Sequence, residues 1–254
     1  MPLNPSVILK AVHLCKTYAA GGEQFHAVRN VSLDIREGEF TVIMGDSGSG
    51  KSTLLYVLSG MDAPTSGEIH FEGERIDRYK EKKMAAFRSR KIGYVYQSIN
   101  LVPDLTLFEN IALPGYIAGL GKAETEKRAA ELMNEMEISP LRRRLPSQVS
   151  GGQQQRAAIA RALIHSPSLL FADEPTGSLN HEHGVAVLDI LTACNRRGQS
   201  VVMVTHDIKA AARADRLILI RDGRIGGELH FGEFPEANAA QREEMIFAFV
   251  TGKE

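Results

Sequence analysis

The segment Gly45-Asp46-Ser47-Gly48-Ser49-Gly50-Lys51-Ser52 follows the apolar run Phe40–Met44 and opens the helical run Ser52–Leu58. It fits G-x-x-x-x-G-K-[ST], in the strand–loop–helix context that gives this pattern its meaning. Its glycines let the backbone turn so that N–H groups face inward, and the helix start adds the positive end of its dipole. Such a cradle suits the phosphates of a nucleotide. Lys51 would bridge the outer phosphates, and the Ser52 hydroxyl, followed by Thr53, would ligate magnesium. The plain alternative is a glycine-rich turn, and the flanking strand and helix weigh against it.

Working outward, the 254-residue chain is 43% hydrophobic and 24% charged, enough for one large domain or a core with an inserted subdomain. Lys plus Arg number 30 against 31 Asp plus Glu, so no strongly basic face is indicated and no nucleic acid is expected. The 2 cysteines, Cys15 and Cys194, read as reduced thiols rather than a disulfide framework. No segment approaches the roughly 18 apolar residues of a membrane-spanning helix. Met1 to Lys10 reads as a strand lead-in rather than a signal peptide, so the expectation is a cytoplasmic protein unless something carries it to a membrane.

Short apolar runs alternate with helical stretches, the mark of an α/β protein. Strands are expected at 7–14, 31–35, 40–44, 68–71, 92–96, 168–172, 200–205 and 217–220, with a hairpin at Asp222-Gly223. Leu169-Leu170-Phe171 and Val201-Val202-Met203-Val204 are apolar on both faces, as buried parallel strands are. From about Asn100 to Leu145, Pro103, Pro114 and Gly115 break the chain, and Lys122 to Glu137 reads as a solvated helix. Glu236 to Val250 reads as an amphipathic helix with Met245, Ile246, Phe249 and Val250 on one side.

Two further segments carry chemistry. Ser168 to Glu174 is an apolar strand ending in two carboxylates. Asp173 could reach a magnesium shell, and Glu174 could take a proton from attacking water. Successive strand side chains point to opposite faces, so the chain must leave strand geometry after Asp173, and Pro175 gives it reason to. Val149-Ser150-Gly151-Gly152-Gln153 places a serine N-cap and two glycines before a strong helix former run. That is a second helix start suited to an anion, although a tight turn would look the same. Two copies of the chain would explain a second anion site, each closing over the phosphate held by the other.

These segments, in this order, resemble the ATP-binding cassette (ABC) ATPases from about Leu9 to Arg224. The resemblance implies an α/β fold: an ABC-type P-loop core with a mixed, largely parallel sheet, a small antiparallel β subdomain and an inserted helical subdomain. It implies one ABC domain, with core parts at 9–98 and 146–225, a helical subdomain at 99–145, and a hairpin and helix extension at 226–254. Gly45 to Thr53 is similar to the Walker A segment, Ser150 to Gln153 to the signature, and Asp173-Glu174 to Walker B. Tyr18 resembles the aromatic that stacks on adenine, although Gly21-Gly22 looks like an insertion in the Ala19–His26 loop after it. Gln97 resembles the glutamine that senses magnesium, alongside the metal ligands Ser52 and Asp173. His206 resembles the switch histidine at the γ-phosphate. The resemblance thus implies ATP and Mg2+ as ligands, Glu174, His206 and Gln97 as catalytic residues, and a head-to-tail dimer sandwiching two ATPs.

Asp62-Ala63-Pro64-Thr65-Ser66-Gly67 and Asp173 to Leu179 are similar to one branch, the lipoprotein-release, macrolide-export and bacitracin-type resistance ATPases (LolD-, MacB- and BceA-like), with the cell-division ATPase FtsE. The branch implies an integral membrane subunit as partner, contacted near Leu101–Phe108, and a peripheral place on the inner face of the membrane. One departure is Asn180, where the family usually has Asp; it keeps size and hydrogen bonding but loses charge. His181-Glu182-His183, Arg142-Arg143-Arg144 and the basic stretch Lys80 to Lys91 read as solvated surface. The competing class, an ABC ATPase acting on nucleic acid or ribosomes, would carry a long coiled-coil insertion or tandem cassettes. Neither is evident, since Lys51 to Ser150 is a short interval and there is one Walker A segment, so this class stands as the less favoured alternative.

Overall fold

The computed structural model describes residues 6–232, 234 and 238–252. The chain forms two compact units. One takes the chain up to Lys80 and again from Asn195; the other is Glu81–Cys194.

In the first unit, β1 (Val7–Ala20) and β2 (Glu23–Arg36) make a long antiparallel hairpin. β1 also pairs antiparallel with β4 (Ser66–Phe71), which pairs with β5 (Glu74–Arg75), giving the order β2-β1-β4-β5. Val31, Leu33 and Ile35 alternate inward along β2, the period of a sheet with one buried face. The second sheet part centres on β3 (Phe40–Met44), parallel to β8 (Ser200–Val204) and to β9 (Arg216–Arg221). Every residue of β3 and β8 is buried, as their unbroken apolar runs predict. β9 turns through Asp222 (φ 48°) and Gly223 (φ 75°) into antiparallel β10 (Arg224–His230), the hairpin expected there. α1 (Lys51–Leu58) follows β3, and the short α7 (Ile208–Ala211) follows β8.

α8 (Ala239–Thr251) closes this unit. Its anchor is Arg242, which is buried and donates to the carbonyls of Ala212, Ala214, Phe231 and Gly232 at 2.9–3.3 Å. The expected apolar side of this helix needs correction: Ile246 is buried but Met245 is exposed, because the helix turns Arg242 and Ile246 inward together. Glu236 and Ala237 of the expected helix, and Met1 to Pro5 of the expected lead-in, lie outside the described residues.

In the second unit, α2 (Glu81–Lys91) has no buried residue, though Met84 and Phe87 are half-buried, and Arg88 pairs with Glu81 at 2.5 Å. β6 (Ile92–Val95) and β7 (Leu169–Asp173) are fully buried and run parallel. Helices α3 (Leu107–Ala118), α4 (Lys122–Glu135) and α5 (Gly151–Leu163) pack on one another, and α6 (His181–Arg196) follows β7.

Three further expectations are corrected. Ala19 to His26 is not a loop: Gly21 (φ 60°) and Gly22 (φ 87°) form the two-residue turn of the β1–β2 hairpin, which needs positive φ at both positions. Pro114 and Gly115 do not break the chain; both lie inside α3. Gly115 serves a close helix approach there, since a Cβ on it would stand 2.8 Å from Thr125 Cγ2 on α4. α4 is not wholly solvated either, because Thr125, Ala129, Leu132 and Met133 form a buried stripe at helical spacing.

Candidate functional site

The glycine-rich loop before α1 is built by sterics. Gly45 (φ 153°) and Gly50 (φ 99°) hold backbone angles unsuited to a side chain. A Cβ on Gly45 would come within 2.1 Å of the Ile220 carbonyl oxygen, and one on Gly50 within 2.1 Å of the Ala27 carbonyl oxygen. Gly50 is also the left-handed N-cap of α1, which has neither a side-chain cap nor an acidic residue in its first turn. The loop wraps around Lys51, whose buried Nζ donates to the carbonyls of Gly45 and Asp46, each at 2.8 Å. Ser49 Oγ is buried with no hydrogen-bond partner among the described residues. Asp46, Ser47 and Gly48 are exposed at the rim, and Ser52 and Thr53 are half-buried on α1.

His206 reaches the same sheet edge. β3 and β8 are parallel with Ile43 opposite Val204, and the Thr205 amide donates to the Ile43 carbonyl at 3.3 Å. The cradle after Met44 and the exposed His206 after Thr205 therefore leave neighbouring strands at their C-terminal ends, the usual place for ligands in α/β sheets. Asp207 next caps α7, accepting from the Lys209 amide at 2.8 Å.

Tyr18 stands on β1 opposite Phe25, 40% exposed. Its hydroxyl donates to Asp62 Oδ2 at 2.9 Å, and Lys16 Nζ lies 4.9 Å from its ring centroid. Burial and then the neighbouring Asp62 push the Tyr18 phenol above its ordinary range, so it keeps its proton and donates.

The second unit brings other residues together. With Val95 opposite Ala172, Gln97 follows β6 where Asp173 and Glu174 end and follow β7. A Cβ on Gly177 would lie 3.5 Å from Gln97 Nε2 and 3.6 Å from Glu174 Cβ, so Gln97 and Glu174 flank one glycine. Asp173 and Glu174 are both buried. Glu174 adopts φ 45°, so the chain leaves strand geometry at this residue, in the left-handed region where a non-glycine residue costs roughly 1–3 kcal/mol. The turn is held by the Gly177 amide on the Glu174 carbonyl at 3.0 Å, and by Gln155 Nε2 on the Pro175 carbonyl at 2.8 Å.

Ser150 caps α5 reciprocally: its Oγ accepts from the Gln153 amide at 3.3 Å, and Gln153 Oε1 accepts from the Ser150 amide at 2.9 Å. The glycines that follow answer to packing. A Cβ on Gly152 would stand 2.7 Å from the His183 ring on α6, and one on Gly151 would stand 3.6 Å from Leu179. Asn180 caps α6, its Oδ1 accepting from the His183 amide at 3.0 Å. The expected solvated surface at His181-Glu182-His183 holds for His181 and Glu182, which are exposed, but His183 is half-buried with its ring against Gly152.

Two supporting side chains were not evident in sequence. Gln155 and Arg161 sit within the helix former run of α5, yet Gln155 secures the Pro175 turn and Arg161 secures the segment after Gln97. Arg161 donates to the carbonyls of Ile99 (2.9 Å) and Asn100 (2.5 Å), two residues with φ near 58° and 52°. Burial, opposed by Tyr96, lowers the Arg161 pKa. The one usable signal is a polar residue on the apolar face of a helix.

The glycine cradle, its lysine and the parallel strand ends define a P-loop nucleoside-triphosphatase. The family model described as ABC transporter matches residues 28–177. The chain is 42% identical over 210 residues to the uncharacterized ABC transporter ATP-binding protein YknY of Bacillus subtilis, covering 83% of this chain and 91% of that one. It is 41% identical over 240 residues to the macrolide export ATP-binding/permease protein MacB of Brucella melitensis, covering 94% of this chain but 37% of MacB. Among solved structures, the dimeric post-hydrolysis state of the ATP-binding cassette MJ0796 bound to ADP and Pi matches with TM-score 0.81 and 40% identity, covering 87% of this chain and 98% of that one. This chain belongs to the ATP-binding subunits of the ABC transporter family, and it is an ATP-hydrolysing cassette.

Proposed function

We propose that two copies of this chain close head to tail over two ATP molecules and so drive an integral membrane subunit. The observation that carries this reading is the presence of two separate anion-ready helix starts on one chain. α1 begins behind the glycine cradle, and α5 begins at Ser150. In the dimer each copy would lend Ser150, Gly151, Gly152 and Gln153 to the phosphates cradled by the other. The 40% identical MJ0796 cassette, dimeric with ADP and Pi, supports this.

Phosphoryl transfer needs positioning and charge stabilisation more than covalent chemistry. Glu174 orients the attacking water and takes its proton, while His206 holds the water and the γ-phosphate. Lys51 and the cradle amides from Gly45 to Thr53 bind phosphate oxygens. The donors we assign to Mg2+ are the Ser52 hydroxyl, the Gln97 amide oxygen and the Asp173 carboxylate. This all-oxygen set, with a buried carboxylate, fits a hard cation. When bound, the metal neutralises charge on the phosphates. Hydrolysis removes the γ-phosphate that bridges the two chains and so weakens closure.

The membrane partner is assigned to Leu101–Phe108 and the face beside it. Asn110 lashes this segment to α3, its side chain bonding the Val102 amide at 2.7 Å and the Val102 and Leu105 carbonyls at 3.0 and 2.9 Å. Leu113, Tyr116 and Ile117 (66% exposed) present an apolar face on α3. No helix among the described residues is long and apolar enough to cross a membrane. We place the chain peripherally on the inner membrane face, powering export or lipoprotein release, and the macrolide-export name of MacB supports this branch. Purification of the tagged chain from detergent-solubilised membranes is expected to recover an integral membrane subunit, and transport of cargo by the reconstituted pair is expected to need ATP. Recovery of RNA or ribosomes would overturn the assignment, and ATP-driven coupling without transport would mark the FtsE-like mechanical role.

The Asn180 departure has its own expected result. Asp caps helices as well as Asn does, so Asn180→Asp should change thermal stability by less than about 1 kcal/mol. In the paired arrangement the added carboxylate is expected to raise the cooperativity of ATP hydrolysis. Unchanged cooperativity in a steady-state titration would show the departure to be neutral.

A further inference from the structure

We propose that Lys16 and Asp62 are positioning residues for the nucleobase, holding the Tyr18 ring as a platform that offers the base only the face opposite Lys16. The inference rests on the reading of Tyr18 as the base-stacking residue. Three restraints act on this ring. Its backbone is set by strand pairing with Phe25, its hydroxyl is tied to Asp62 Oδ2 at 2.9 Å, and one face carries the Lys16 ammonium at 4.9 Å. Lys16 is itself fixed by Asp62 Oδ1 at 2.6 Å and by the Ala63 carbonyl at 2.8 Å, and Asp62 Oδ1 also accepts from the Ala63 amide at 2.8 Å. Both Asp62 oxygens are therefore committed, one to the cation and one to the ring.

The arrangement exceeds what strand pairing needs. Thr65 already ties this turn to β1, through Thr65 Oγ1 on the Thr17 amide at 2.9 Å and the Thr65 amide on the Cys15 carbonyl at 2.8 Å. The Lys16–Asp62 pair is partly buried, its side chains 12% and 33% exposed. A ring tied at both ends and still 40% exposed is instead ordered before any ligand arrives, and preordering removes the cost of immobilising it on binding. The Asp62 amide donates to the carbonyl of Tyr56 at 3.1 Å. Tyr56 lies on α1 with Lys51 and Ser52, so the platform and the phosphate cradle are tied to one helix. Burial alone would raise the Asp62 pKa, but hydrogen bonds from Lys16 and Tyr18 outweigh it and keep the carboxylate ionised. Stacking on a single ring face accepts any planar base, so the tether sets affinity for the base rather than a choice between bases.

Calorimetric binding of MgATP and of magnesium tripolyphosphate, which has no base, tests this on the intact chain. Asp62→Ala and Lys16→Met are each expected to weaken MgATP binding about 3- to 10-fold, the equivalent of one ordered side chain, and to leave tripolyphosphate binding unchanged. Asp62→Asn, which keeps an acceptor for the phenol, should lose less. Tyr18→Ala should weaken MgATP further, and Asp62→Ala should add nothing in that background. If Tyr18→Ala weakens MgATP while Asp62→Ala and Lys16→Met do not, the tether is refuted and the platform stands. If Tyr18→Ala leaves MgATP affinity intact, the platform reading fails as well. Equal loss of tripolyphosphate and MgATP in Asp62→Ala would show a general disturbance of the cradle and refute positioning through Tyr18.

Discussion

Glu174→Gln is expected to slow ATP hydrolysis by roughly 10²- to 10⁴-fold, the usual contribution of a general base, while MgATP binding and ATP-dependent pairing persist. Glutamine matches glutamate in size and can still orient water, but it cannot accept the proton. The left-handed backbone at residue 174 is held by the Gly177 amide and by Gln155 on the Pro175 carbonyl, neither of which involves the carboxylate. Phosphate-release kinetics measure the first half of the expectation, and light scattering of the ATP-saturated variant, alone and with its membrane assembly, measures the second. Hydrolysis at the wild-type rate removes Glu174 from its assigned role. A variant that binds ATP yet stays monomeric in both settings removes the paired arrangement instead.

Gly50→Ala should abolish measurable nucleotide binding, whereas Gly38→Ala should not. Both residues have positive φ, 99° and 73°, so both substitutions carry a strain of about 1 kcal/mol or more. They differ in surroundings. A Cβ at Gly38 meets nothing within 4 Å, but at Gly50 it would sit 2.1 Å from the Ala27 carbonyl oxygen, backbone against backbone. Because Gly50 is the N-cap of α1, relief of that clash must move the helix start and with it Lys51, whose Nζ is wrapped by the Gly45 and Asp46 carbonyls. Titration with a fluorescent ATP analogue, beside thermal melts of both variants, checks the contrast. Equal affinities in the two variants would show that the clash at Gly50 does not govern nucleotide binding.

Much of the architecture is readable before folding. The runs Phe40–Met44, Leu169–Asp173 and Ser200–Val204 are apolar without alternation, and each is a fully buried strand. The Asp222-Gly223 turn and the Ser150 cap of α5 occur where their residue types predict. Expectation and structure differ where local preference meets a tertiary demand. Pro114 and Gly115 are poor helix formers, yet α3 continues through them because its packing on α4 outweighs propensity, and the close approach at Thr125 favours a glycine. Gly21-Gly22 resembled a loop insertion because glycine pairs serve loops and tight hairpins alike.

Sequence alone determined the strand–loop–helix cradle, the glycine-bearing start of α5 and the helix caps. Each of these depends on residues within a turn or two of one another, so spacing encodes it. Only the tertiary structure decided that Asp62 would meet Tyr18, that Arg161 would hold Ile99 and Asn100, and that Gln155 would pin Pro175 beyond a left-handed Glu174. Those contacts join residues distant in the chain. Their partners are selected by sheet register and helix packing, which no local pattern of residue types records.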